Sequence, residues 1–118
     1  MSTTLPNGTI ADISPWTLLQ TGPAWAVNLP STWNLTGVSS GSIGMNIYTS
    51  TPLVNNGGYT LLKQSSGTVS IVSTFPAVID FAVASSDITT VGLYYIKFFA
   101  TISGLKYYTD YIPWLVQA

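Results

Sequence analysis

The chain contains no cysteine, histidine, glutamate or arginine. Without cysteine there is no disulfide and no thiolate to hold a metal, and the redox setting stays open. Without histidine there is no imidazole to act as base or ligand. The charged residues are Asp12, Lys63, Asp80, Asp87, Lys97, Lys106 and Asp110, only 6% of the chain, where ordinary surfaces are about a quarter charged. A folded chain of this mass exposes roughly 6,000 Å², about one charge per 900 Å². A free surface so short of charge repulsion tends to self-associate. Three scattered lysines cannot neutralise a phosphate backbone, so nucleic acid is not an expected partner. Uninterrupted apolar runs are only a few residues long, far short of the roughly 20 a spanning helix needs, and no membrane partner is expected. Met1 to Ile10 lacks the basic start and apolar stretch of a secretory signal, so none is expected.

What the chain does have is alternation. From Tyr94, the even positions Tyr94, Ile96, Phe98, Ala100 and Ile102 can face a core, while Tyr95, Lys97 and Thr101 tolerate water. A period of two marks a strand with one buried face. Ser103-Gly104 then reads as a two-residue hairpin turn, because glycine supplies the positive φ that a tight turn needs. The same period sets Trp25, Val27 and Leu29 on one face of 24–29, and Ile43, Met45 and Ile47 on one face of 43–49. It also sets Ile79, Phe81 and Val83 against Asp80 in 78–84. Further strands are expected at 16–20, 59–64 and 68–73, and from Leu105 to Ile112, after which Pro113 breaks the ladder.

Asp87, Gly92 and Tyr94 stand as in a tyrosine corner, where a buried hydroxyl bonds back to nearby backbone. The expected fold class is all-β: an immunoglobulin-like antiparallel β-sandwich of about seven to nine strands with an extended N-terminal arm. Residues 1–15, with only Leu5, Ile10 and Ile13 apolar among Ser, Thr, Pro6 and Asn7-Gly8, read as the arm, and 16–118 as the domain.

Chemistry is argued mostly by elimination. The aspartates show no calcium-loop or Asp-x-Asp spacing, and Asp87 is explained by the loop leading into the Tyr94 strand. Ser103 and Lys106 have Ser-x-x-Lys spacing, but across a hairpin turn rather than at the start of a helix. Gly37, Gly41 and Gly44 precede no helix and make no phosphate cradle. Asn7-Gly8-Thr9 and Asn34-Leu35-Thr36 match the glycosylation acceptor by letter only, since no secretory leader is expected. No catalytic residue, cofactor or metal is expected, and the chain is not expected to be an enzyme.

The aromatics remain. Trp25 and Tyr94 fall on apolar faces and belong to the core. Trp16, Trp33, Tyr107, Tyr108, Tyr111 and Trp114 fall in loops, at edges or on ambiguous faces. With Leu5, Ile10 and Ile13 of the arm, they are the candidate partner-contact residues, since exposed rings suit interfaces.

Three features together carry a resemblance: the Leu35-Thr36-Gly37 turn ahead of an alternating strand, Asp87, Gly92 and Tyr94 within 78–94, and the Gly104 hairpin before a strand containing Pro113. Over roughly residues 24–117 the chain resembles the immunoglobulin-like N-terminal domains of bacteriophage baseplate upper proteins and related tail and virion modules. The resemblance implies a virion location, assembly in the host cytoplasm, and no catalytic residues. With the low charge, it points to a non-enzymatic structural or adaptor subunit of a phage-like virion, a tail or baseplate component or a capsid decoration protein. The expected partners are other virion proteins and copies of itself in a homo-oligomer. Two other classes fit the composition: a carbohydrate-binding module with Trp and Tyr platforms, and a pilus or fibre subunit assembling by β-strand addition.

Overall fold

A computed structural model describes residues 9–11, 16–20, 22–51 and 58–118, with 9–11, 50, 51 and 58 described by backbone alone. The described strands are β1 (Thr9–Ala11), β2 (Trp16–Thr17), β3 (Trp25–Asn28), β4 (Ile43–Thr51), β5 (Gly58–Gln64), β6 (Thr68–Thr74), β7 (Ala77–Ala82), β8 (Gly92–Ile102), β9 (Leu105–Tyr108) and β10 (Ile112–Gln117). A 3-10 turn at Ser40–Ser42 precedes β4. The count exceeds seven to nine because β1 and β2, of three and two residues, join the sheets as short edges.

One sheet runs β1-β3-β7-β6, and the other runs β2-β10-β8-β4-β5 with β9 also on β8. All neighbouring strands are antiparallel except the short β2–β10 pair, where Val116 meets Trp16 in parallel. The chain joins its own body earlier than an arm of fifteen residues implies, because Thr9–Ala11 pairs with Ala26 to Asn28 of β3.

The two sheets pack face to face, and alternation decides which residues lie between them. Trp25 and Val27 of β3 and Ile79 and Phe81 of β7 face Met45 and Ile47 of β4 and Ile96 and Phe98 of β8; none is more than 1% exposed. The Phe81 and Phe98 rings meet edge to face at 5.5 Å across the layer. Burial of each such side chain contributes about 1.5–3 kcal/mol. At one end Trp25 packs edge to face against Trp16 at 5.2 Å and Trp114 at 5.1 Å.

Three residues expected at partner contacts therefore belong to the interior: Trp16, Trp33 and Trp114 are 2%, 6% and 1% exposed. For Trp114 the reason is register, since its pairing with Tyr94 puts both on the inner face. Trp16 follows because β2 pairs alongside the end of β10. Trp33 is turned inward by the loop after β3: its N–H donates to the Pro30 carbonyl at 2.9 Å, and Leu35 N–H donates to Thr74 at 2.8 Å.

The loop into β8 is pinned by side chains. Tyr94 Oη donates to the Thr90 carbonyl at 2.7 Å, the contact expected of a tyrosine corner. Asp87, 2% exposed, accepts from Ser66 N–H at 2.8 Å, Ala84 N–H at 3.2 Å and the Ser65 hydroxyl, and pairs with Lys63 Nζ at 3.6 Å. It ties the β5–β6 turn, which crosses between the sheets, to the β7–β8 loop. The β8–β9 turn has φ of 52° at Ser103 and 81° at Gly104, both positive as a type I′ turn requires.

Candidate functional site

Outward-facing side chains of the six-stranded sheet follow from the register. In β8 they are Leu93, Tyr95, Lys97 and Phe99, because Tyr94, Ile96 and Phe98 point inward. Asn46 pairs with Lys97 and Tyr48 with Tyr95 on β4, while Leu61 and Tyr59 continue the row onto β5. Pro113 and Leu115 of β10 flank Tyr95 and Leu93, and Tyr108 and Lys106 of β9 flank Phe99 and Thr101.

These side chains form one connected layer. Tyr59 stacks on Tyr111 with ring centroids 3.9 Å apart, and meets Tyr95 edge-on at 4.8 Å. Tyr48 meets Tyr111 edge-on at 5.1 Å. Lys97 Nζ lies 4.4 Å from the Tyr111 ring centroid and 5.3 Å from that of Tyr108, and Lys106 Nζ lies 4.3 Å from Phe99. Each contact of this kind contributes about 0.5–1 kcal/mol at an exposed site and holds a flexible ammonium in place. Phe99 itself is buried although it points outward. It lies over Gly44, where an added Cβ would come within 2.5 Å of the ring.

The layer is apolar and accessible. Tyr59, Leu61, Leu93, Tyr108 and Leu115 are each 43–55% exposed. Neither Lys97 nor Lys106 has a carboxylate within 4 Å among the described residues. The face offers ring surfaces, phenol hydroxyls and two ammonium groups. Among the described residues no three of His, Cys, Asp and Glu gather to hold a metal.

A smaller feature lies at the end of the sandwich. Thr32, Trp33, Asn34, Ile102 and Tyr107 line a cleft of about 310 Å³. The Trp33 and Tyr107 rings there are 6.1 Å apart and inclined by 48°.

Of the expected contact residues, Tyr108 and Tyr111 belong to the tyrosine face and Tyr107 to the cleft; Tyr107 and Tyr108 are exposed and Tyr111 is half-buried. Ile10 lies in β1, opposite Val27, while Leu5 and Ile13 lie outside the described residues. Tyr48, Tyr59, Tyr95, Lys97 and Lys106 were not among the candidates. The signal for two of them was present, since alternation in β8 already assigns Tyr95 and Lys97 to the side away from the core. That Tyr48 and Tyr59 complete the same layer depends on the β4–β8 and β4–β5 registers, which no local pattern encodes. The chain matches no protein-family model, no curated protein and no solved structure.

Proposed function

We propose that this chain is a non-enzymatic structural subunit of a phage-like particle, docking on protein partners through the tyrosine face of its six-stranded sheet. The observation that carries the reading is the layer of Tyr48, Tyr59, Tyr95, Tyr108 and Tyr111 held together with Lys97. Tyrosines supply large contact area at low entropic cost and are enriched where protein interfaces bury their centres. The low charge over the whole chain suits a surface that other subunits cover. The resemblance to baseplate upper-protein domains supplies the kind of particle, in the tail, the baseplate or a capsid decoration.

The test is sedimentation of particles from the native background, with this chain followed in the pellet. The wild-type chain is expected in the particle fraction, and a Tyr59→Ser/Tyr108→Ser chain in the supernatant. A wild-type chain that never pellets, or a variant that pellets as well as wild type, overturns the reading.

The Trp33–Tyr107 cleft favours one second reading, a carbohydrate-binding module, with Asn34 and Thr32 as hydrogen-bonding groups beside the rings. Trp33 is the reporter: titration with neutral oligosaccharides would shift tryptophan emission in wild type and not in Tyr107→Ala. The platforms of that module would be tyrosines, since Trp16, Trp25, Trp33 and Trp114 are all buried.

A further inference from the structure

We propose that the partner on the tyrosine face is a second copy of this chain, presenting the outer face of its four-stranded sheet, so that copies stack head to tail. This rests on the reading of the tyrosine face as a protein-docking surface. The two outer faces of the sandwich are complementary in side-chain size and in charge. One carries bulky rings and the ammonium groups of Lys97 and Lys106. The far face is built from Ala26 and Asn28 of β3, Val78, Asp80 and Ala82 of β7, and Ser70 of β6. The side chains at its centre are small, so bulky rings can approach its backbone closely there, while the larger exposed groups, Val72 and Phe75, lie on β6 and its turn into β7. Asp80 is exposed at its centre and has no lysine within 4 Å among the described residues. Of the other described aspartates, Asp87 is buried in its pair with Lys63 and Asp110 lies in the link between β9 and β10.

Charge decides between the possible pairings. Two tyrosine faces brought together would gather Lys97 and Lys106 of both copies. Two far faces would set Asp80 against itself and have nothing larger than valine at the centre to pack. Like charges facing each other across an interface are strongly unfavourable. Head-to-tail contact joins opposite charges and sets large side chains against small ones. A heterologous contact of this kind closes into a ring or continues as a stack.

The experiment uses the full chain in sedimentation equilibrium, with two variants on exposed positions whose folding is checked by circular dichroism. Asp80→Lys reverses the far face, and Tyr59→Ser/Tyr108→Ser strips the tyrosine face. Wild type is expected to self-associate, less so as salt rises. Each variant alone is expected to self-associate roughly tenfold more weakly or worse. Mixed in equal amounts, they should form a discrete one-to-one dimer, because each contributes the face the other has lost and neither can extend the stack.

A monodisperse wild-type monomer at all concentrations overturns the proposal, as does a symmetric dimer of Asp80→Lys or a mixture that stays monomeric. The docking reading fails separately. If wild type is monomeric in isolation yet pellets with particles in a Tyr59- and Tyr108-dependent way, the face docks on a different protein. If pelleting ignores those tyrosines, the face itself is wrong.

Discussion

The two sides of strand β8 both carry aromatic and aliphatic side chains, yet one is closed to water and the other is partly open to it. On the inner side Tyr94, Ile96 and Phe98 meet Trp114 and Phe81 with nearly all their surface removed from water. On the outer side Tyr95, Lys97 and Phe99 meet Tyr59, Tyr108 and Tyr111, and part of that layer stays accessible. The inner contacts are complete within one chain, so their energy goes into folding. The outer contacts fix ring and ammonium positions while leaving area uncovered, a preorganisation that would lower the entropy lost if the proposed partner docks there. On the proposed reading one strand serves both stability and recognition, with single-residue alternation separating the two.

Truncation at the centre of the inner side should break the contrast most strongly. Phe98→Ala removes a fully buried ring that packs on Phe81 and is expected to cost about 3–5 kcal/mol in denaturant unfolding. A cost under 1 kcal/mol would mean that the layer between the sheets is not packed as described.

Next comes the buried carboxylate. Asp87→Ala leaves Ser66 N–H, Ala84 N–H and the Ser65 hydroxyl without their acceptor, with an expected loss of about 2–3 kcal/mol. Because Asp87 ties two loops rather than lining the tyrosine face, particle binding by the folded fraction should be unchanged.

Two hydroxyl deletions sharpen the comparison. Thr109 Oγ1 accepts the Phe98 N–H at 3.0 Å where β9 gives way to β10, so Thr109→Val strands a buried donor and should cost about 1–3 kcal/mol. Tyr94→Phe removes the bond to Thr90 and should cost about 1 kcal/mol. Thermal or denaturant unfolding reads both, and a neutral Tyr94→Phe would mean the corner does not pin its loop.

The smallest stability effect belongs to the outer side. Tyr59→Ser removes one stacked ring at an exposed edge strand and should cost about 1 kcal/mol or less, while docking falls at least tenfold. Equal losses at Tyr59 and Phe98 in unfolding would erase the distinction between the two sides.

Much of this was legible in local pattern. The strands at 24–29, 43–49, 78–84 and 94–102 have the buried faces their alternation implies, and Ser103-Gly104 makes the turn its composition demands. Tyr94 bonds as its spacing from Asp87 and Gly92 suggests. Three of the tryptophans are less legible. Trp33 sits in a loop with no period, and nothing local says that the loop folds back over the end of the core. Trp16 belongs to a two-residue strand whose partner lies near the other end of the chain. The tyrosine face was half legible, because alternation assigns a side to each residue of one strand but says nothing about which strands lie beside it.

By itself, then, the amino-acid sequence determined the all-β class, the inward residues of each long strand, the hairpin turn and the absence of histidine and cysteine chemistry. Those follow from the two-residue period, from φ preferences and from composition, all of which act over a few residues. Only the tertiary structure decided that Tyr48, Tyr59, Tyr95, Tyr108 and Tyr111 share one layer with Lys97, and that Asp80 lies exposed on the opposite face. Cross-strand register between segments far apart in the chain sets those neighbours, and it is fixed when both sheets bury their inner faces together.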